Sequence, residues 1–161
     1  MRTVHWLFLV SIVLFVCGVG FIVVGARSAR TAAPVDEPTM TPVASVRQIM
    51  NGIVAPAARA VWTSVGTTVT AAGVDERAPH TPEEWAALGD SAAALVEGGN
   101  LLLVGGRAID RADWVTMSRA LMDAGTLALK ATEVKNADGV MAAGEKVTAA
   151  CDTCHQRYQR Q

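Results

Sequence analysis

The chain has 161 residues, a formal net charge of −1 and an apolar fraction of 51%. This length accommodates one domain together with a leader segment. Because its cationic residues form no basic stripe, the composition argues against nucleic acid as a partner.

The leader contains an uncharged apolar run from Trp6 to Val24. As a helix, a run of this length extends roughly 28 Å, close to the hydrocarbon thickness of a bilayer. It predicts either a membrane anchor or a secretory signal peptide within residues 1–26. The length favours the anchor, whereas the small residues that end at Ala26 leave cleavage as the alternative. Residues 27–42, rich in Pro, Ala and Thr, are predicted to form a linker.

From residue 43 to 161 the apolar spacing is helical and predicts an all-α domain, a four-helix up-down bundle. Segment A covers 43–64, and Pro56 is expected to kink or break it. The residues predicted to face inward from segment A are Val46, Ile49, Met50, Ile53, Val54, Val61 and Trp62.

Residues 65–80 are β-branched and then glycine-containing, which predicts a loop, with a small hairpin as the alternative. Segment B covers about 82–104. Thr81 is its predicted N-cap, with Glu84 as the third helical residue, and Gly105-Gly106 ends it. Its predicted inner face consists of Trp85, Leu88, Leu95, Leu102 and Leu103.

Segment C covers about 111–134, with Asp110 as a candidate cap, and segment D covers about 137–159. The inner face of C consists of Trp114, Met117, Leu121, Ala124 and Ala128. The stripe of D, with steps of four and three, consists of Val140, Gly144, Val147, Cys151, Cys154 and Tyr158. Small residues on the inner faces either leave room for a flat cofactor or allow close helix packing; they are Gly98, Gly99, Ala124, Gly125, Ala143 and Gly144.

Segment D contains the pentapeptide Cys151-Asp152-Thr153-Cys154-His155. The pattern C-x-x-C-H is the attachment signature of c-type haem. Positions i, i+3 and i+4 share one face of a helix, so two thioethers and a proximal imidazole can serve one porphyrin. Because both cysteines belong to the inner stripe, we expect the haem to be wedged between helices rather than held on a loop.

Two other chemistries use cysteines at this spacing. A redox dithiol normally lies at a helix N-terminus, where the dipole stabilises the thiolate, but these cysteines come late in segment D. A closed zinc site needs four ligands, and outside the motif the chain has only Cys17, His5 and His80 of the Cys and His type. Covalent haem is the better interpretation. Since such haem is normally attached outside the bacterial cytoplasmic membrane, the domain is predicted to be periplasmic.

Four helical segments with C-x-x-C-H on the last resemble the class II c-type cytochromes, the cytochrome c-prime family. Cys151, Cys154, His155 and Tyr158 match the family's C-x-x-C-H-x-x-Y ending, and Arg47-Gln48 looks like the Arg-Gln pair of its first helix. The resemblance covers residues 43–161. In one departure, the Arg or Lys that usually follows the tyrosine is replaced by glutamine, and the next cation is Arg160.

The resemblance implies one haem c, with its iron bound by His155 and, as in the low-spin branch, by Met50. Arg47 and Gln48 would then hydrogen-bond a haem propionate, with a solvated helix start as the alternative. Tyr158 either covers the edge of the proximal imidazole or simply packs. Other candidates for the sixth ligand are Met117, Met122, Met141 and, less favoured because it precedes the cap of segment B, His80.

Two functions follow from the iron coordination. With Met50 bound, the chain is a carrier that exchanges single electrons with redox proteins. Without it, the iron keeps an open position between segments A and B that suits NO or CO. A third alternative is a haem subunit of one enzyme complex. Nothing supplies substrate-directed acid–base groups, so we expect no enzymatic activity; the resemblance leaves a homodimer open.

Overall fold

The structure, a computed structural model, describes residues 2–31 and 40–159. The chain divides into two compact units, Met1–Thr39 and Met40–Gln161. In the first unit, helix α1 spans Arg2–Thr31 and contains the apolar stretch Val4–Gly25. That stretch is long and apolar enough to cross a membrane, and a signal sequence has the same properties. The helix continues into the predicted linker, whose residues 32–39 lie outside the described residues.

The second unit is mostly helical, and its helices agree with the four predicted segments. Each predicted segment begins and ends within one turn of an observed helix. The elements in order are α2 (Val46–Ile49), a π-helical turn (Met50–Val54), α3 (Ala55–Ser64), β1 (Gly66–Thr70), β2 (Gly73–Arg77), α4 (Pro82–Leu103), α5 (Asp113–Glu133) and α6 (Ala137–Tyr158).

Between α3 and α4 the chain forms an antiparallel hairpin, so the all-α prediction needs a correction and the hairpin alternative is confirmed. Gly66 pairs with Arg77, and Thr70 pairs with Gly73 across a two-residue turn. Gly73 has φ +139°, a backbone conformation that residues with a Cβ rarely adopt. The β-branched residues of β1 favour the extended conformation over helix.

Of the kink or break expected at Pro56, the break is wrong, because helical residues continue without interruption on both sides of it. Proline has no N–H for the carbonyl four residues earlier, and its ring would press on that carbonyl in an α-helix. The segment accommodates Pro56 by widening before it: Ala55 N–H donates to Met50 O, five residues earlier. The helix therefore stays continuous from α2 to α3 through the π turn.

The helices of the second unit surround one core, and each packs against the next so that the first and last are also in contact. Helix α4 packs on α5, α5 on α6, and α3 on both α4 and α6. The largest fully buried side chains of this core are Ile49, Leu95, Val61, Val140 and Val147. The predicted inner faces are largely confirmed. The prediction that Trp62 faces inward is wrong, because 43% of its surface is exposed.

Three glycines on the inner faces serve close helix packing, whereas Gly144 has room for a Cβ, whose nearest neighbour would be Trp62 Cδ1 at 3.5 Å. A Cβ on Gly98 would lie 2.7 Å from Val54 Cγ2, and one on Gly99 would overlap the side chain of Met122. A Cβ on Gly125 would lie 3.0 Å from Val96 Cγ2. At these positions even a methyl group lacks room, so the helices approach closely only because glycine is present.

Candidate functional site

The C-x-x-C-H motif lies in the last two turns of α6, where the inner stripe of this helix becomes more exposed to solvent. The helix begins after Asn136, whose side chain accepts a hydrogen bond from Gly139 N–H at 3.0 Å. Along the stripe, the residues before the motif are buried, whereas those from Cys151 onwards are half-buried. The core is thus completely closed along the first half of α6 and incompletely closed beside the motif.

The two motif cysteines are on the partly covered side of α6. Both are half-buried and neither forms a disulfide, and Cys151 packs against the core. Burial raises the pKa of each thiol, and for Cys151 the nearby Asp152 carboxylate raises the pKa further. A redox dithiol needs the opposite shift, towards the thiolate. His155 is exposed, one residue after Cys154 on the same side of the helix.

The last residue of α6, Tyr158, is held by the connection between α4 and α5 (residues 104–112). Its phenol oxygen donates to Asp110 Oδ2 at 2.6 Å, and its ring meets Trp114 edge-on with centroids 5.0 Å apart. Asp110 Oδ1 also accepts from the backbone N–H groups of Asp113 and Trp114. Asp110 therefore caps α5, as predicted, and anchors the end of α6.

A cation lies beside Tyr158 on its N-terminal side. Arg157 Nη2 is 2.6 Å from Asp113 Oδ2, and its guanidinium lies 5.7 Å from the centroid of the Tyr158 ring. The resemblance to class II cytochromes implies a cation after the tyrosine, and Arg160, the sequence candidate for that role, lies outside the described residues. Sequence reasoning missed Arg157 because its partner Asp113 is distant along the chain.

The same α4–α5 connection also holds the start of α2. Arg107 Nε and Nη2 donate to Ala44 O at 3.2 and 3.0 Å, and Nη1 donates to Leu101 O at 2.8 Å. Three guanidinium bonds to two carbonyls fix this end of the domain. No local sequence signal indicates that role for Arg107, since Ala44 is 63 residues away.

The predicted iron ligands Met50 and His155 lie at the same level of the domain. The start of α2 and the end of α6 both contact the α4–α5 connection, whereas at the opposite end Trp62 Nε1 donates to Gly144 O at 3.1 Å. The first helical segment and α6 are therefore antiparallel. Met50 precedes Trp62 by 12 residues and His155 follows Gly144 by 11. At 1.5 Å per residue the two steps cover about 18 and about 16.5 Å, which are nearly equal.

The residues at this level fit a covalent haem. Contacts between the first helical segment and α6 fall mainly on α3, near Trp62, and are sparse at the Met50 level. Met50 is half-buried and packs against the core. Two unpaired thiols, an exposed imidazole and a thioether are thus available where the core is incompletely closed.

The rival sixth ligands have different surroundings. Met122 lies against Gly99 between α4 and α5, and Met141 is in the second turn of α6, about 21 Å along the helix from His155. Met117 is half-buried one turn after Trp114, on the helix that packs along α6. His80 borders an open depression with Ala60 and Thr63 at the opposite end of the domain, and is far from the motif. Met50 and Met117 remain as ligand candidates.

The predicted propionate ligands Arg47 and Gln48 are exposed in the short helix α2. Gln48 already has local partners: its Oε1 accepts from Ser45 N–H and Oγ at 2.9 Å, and its N–H donates to Ser45 Oγ at 3.3 Å. This reciprocal capping box accounts for Gln48 without a cofactor. A role in haem binding stays a prediction for both residues.

No protein-family model matches the chain, and no curated protein or solved structure matches it. Within residues 2–31 and 40–159, no group of three or more His, Cys, Asp or Glu residues is arranged to hold a metal ion. The chemistry of the C-x-x-C-H motif and the contacts around it are therefore the basis for a functional assignment.

Proposed function

We propose that this chain is a periplasmic c-type cytochrome with one covalent haem, and that it transfers single electrons between redox proteins. Cys151 and Cys154 form the thioethers, His155 is the proximal iron ligand and Met50 is the sixth ligand. The domain is a haem-containing four-helix bundle of the class II type. The bound haem supplies a one-electron centre whose reduction potential is raised by Met/His ligation.

The observation that supports this proposal best is the position of the two cysteines. They continue the stripe of buried Val140 and Val147 on α6, and both are half-buried without a disulfide. A macrocycle attached there would be covered by the helices rather than exposed on a loop. His155 follows on the same face, and Met50 lies at its level on the antiparallel first segment.

The compartment follows from the same chemistry and from the leader. Helix α1 contains an apolar stretch suited to an anchor or a signal sequence. Either would bring the second unit to the outer side of the cytoplasmic membrane, where c-type haem is attached. We propose that the anchor is retained and confines the carrier near membrane-bound partners. The mass of the purified chain, measured by mass spectrometry, distinguishes a retained leader from a cleaved one.

Haem attachment is tested on the full chain expressed with haem-ligating machinery. The pigment should stay with the polypeptide in acidified organic solvent, and mass spectrometry should detect one haem per chain. Cys151→Ser and Cys154→Ser should each leave a single thioether, and the double variant should release all pigment. If the wild-type chain releases its pigment, covalent attachment is disproved.

The spin state separates the carrier from the gas binder. The reduced chain should show sharp low-spin absorption bands that do not respond to CO. Met50→Ala should convert them to broad bands that shift with CO, and Met117→Ala should not. A CO-sensitive wild-type spectrum would favour a five-coordinate NO or CO binder, and conversion by Met117→Ala alone would transfer the ligand role to Met117.

A further inference from the structure

The π turn determines which side chains of the first helical segment face inward. Ile49 and Val54 are five residues apart, yet both are buried, with 2% and 3% of their surfaces exposed. In an α-helix such residues point about 140° apart. In an i→i+5 turn they point much closer together, since the turn contains roughly one more residue. The π turn thus brings both residues into the core.

The same widening turns Met50 towards α6. Trp62 contacts Gly144 of α6, so the line of Trp62 and Ala58 marks the α6 side of this segment. When the angular positions around the helix axis are counted back from Trp62 through the π turn, Met50 lies close to the line of Trp62 and Ala58. In a regular α-helix Met50 would instead lie on the side of Val54, about one fifth of a turn away from that line.

We infer that Pro56 is a positioning residue for the sixth ligand. By excluding the α-helical bond to the Gly52 carbonyl, it keeps Met50–Val54 in the π turn, and the π turn directs Met50 to the side of the helix that faces His155. This inference rests on the proposed function, because it concerns the ligation of the proposed haem iron. It does not require Pro56 to touch the haem.

The test uses the full-length holoprotein and its spin state. Pro56→Ala restores an N–H at this position and allows the segment to adopt the α-helical register, which rotates Met50 away from α6. We expect a several-fold rise in the high-spin, CO-binding fraction over the wild-type background. The matched control is Pro82→Ala at the first position of α4, where no helical partner needs the missing N–H, and it should leave the spectrum unchanged.

A second variant separates ligand positioning from general damage. Deleting Gly52 in the Pro56→Ala background removes the residue that the π turn accommodates, so a regular α-helix returns both Ile49 and Met50 to their original faces. Gly52 is exposed, and a Cβ built there meets nothing within 4 Å, so this position faces open space. This double variant should regain the low-spin, CO-insensitive spectrum.

The outcomes distinguish the inference from the proposed function. A wild-type chain without covalent haem, or with a CO-sensitive iron, contradicts the proposed function before Pro56 is considered. A low-spin wild type with an equally low-spin Pro56→Ala variant overturns the role of Pro56 and leaves the cytochrome intact. If Pro56→Ala fails to accumulate, the double variant decides alone: a low-spin spectrum supports the inference and a high-spin spectrum overturns it.

Discussion

Tyr158 donates a hydrogen bond to Asp110 Oδ2 at 2.6 Å, and this bond joins residues 48 positions apart in the chain. It ties the last turn of α6 to the residue that caps α5. The hydrogen bond from Tyr158, followed by the one from Trp114 N–H, lowers the pKa of Asp110 below its ordinary 3.8. Partial burial, and then the bond to Asp110, raises the pKa of Tyr158 above 10.0.

Replacing Tyr158 with Phe should lower the midpoint of thermal unfolding, because Asp110 loses its side-chain donor while the ring contact with Trp114 remains. The full chain in detergent, followed by circular dichroism, provides the measurement. Asp110→Asn should be the more harmful change, since the amide is a weaker acceptor for the N–H groups of Asp113 and Trp114 as well. Equal midpoints for wild type and Tyr158→Phe would contradict a stabilising role for the bond.

The pH dependence of this bond has a defined sign. Asp110 has a folded-state pKa below its unfolded value, so its contribution is complete above pH 3.8 and is lost as the pH falls through the folded-state value. Tyr158 has a raised pKa, so its contribution is complete below pH 10.0 and is lost as the pH rises through the folded-state value. The stability difference between wild type and Tyr158→Phe should therefore be flat at neutral pH and shrink at both extremes.

The start of α4 provides a further prediction. Thr81 Oγ1 accepts from Glu84 N–H at 3.1 Å, and Glu84 Oε2 accepts from Thr81 N–H at 3.2 Å and from His80 N–H at 2.6 Å. Thr81→Ala should cost about 1 kcal/mol of unfolding free energy, as for other helix caps. Thr81→Ser keeps the hydroxyl and should cost much less. Urea denaturation of the two variants gives the comparison, and an equal loss would show that the methyl group matters instead.

The predictability of this fold depends on how local each signal is. The cap of α4 is encoded within four residues, so Thr81 and Glu84 identify it without a structure. The π turn is not local: Pro56 signals a disturbance, but only the burial of both Ile49 and Val54 requires a widened turn rather than a break. The hydrogen bonds from Tyr158 to Asp110 and from Arg107 to Ala44 join residues 48 and 63 positions apart, so no local sequence pattern indicates them.

The core provides a further prediction, which compares one buried and one exposed leucine on neighbouring helices. Leu95 in α4 is 0% exposed, whereas Leu127 in α5 is 44% exposed. Leu95→Ala should cost about 2–5 kcal/mol of unfolding free energy, because it removes buried methyl groups and leaves a cavity. Leu127→Ala should cost well under half of that amount. Denaturant titration of both variants tests the difference, and similar losses would contradict the assigned core.

Substitution by alanine should change the unfolding free energy in opposite directions at two buried glycines. Alanine gains about 1 kcal/mol over glycine inside a helix, but overpacking costs about 1–3 kcal/mol. At Gly98 a Cβ would lie 2.7 Å from Val54 Cγ2, so Gly98→Ala should destabilise the domain. At Gly144 the nearest atom is Trp62 Cδ1 at 3.5 Å, an ordinary contact, so Gly144→Ala should stabilise it.

The direction in which each substitution changes the unfolding free energy distinguishes two reasons for glycines on these faces, room for a cofactor and close helix packing. If they served only to leave room beside the proposed haem, both alanines would mainly disturb the absorption spectrum of the holoprotein and have little effect on the stability of the polypeptide without haem. Since the contacts at Gly98 involve the π turn and those at Gly144 involve α3, the opposite signs should already be present in the haem-free chain. Denaturant titration of that chain, prepared without haem-ligating machinery, tests this, and a shared sign would contradict the close-packing explanation.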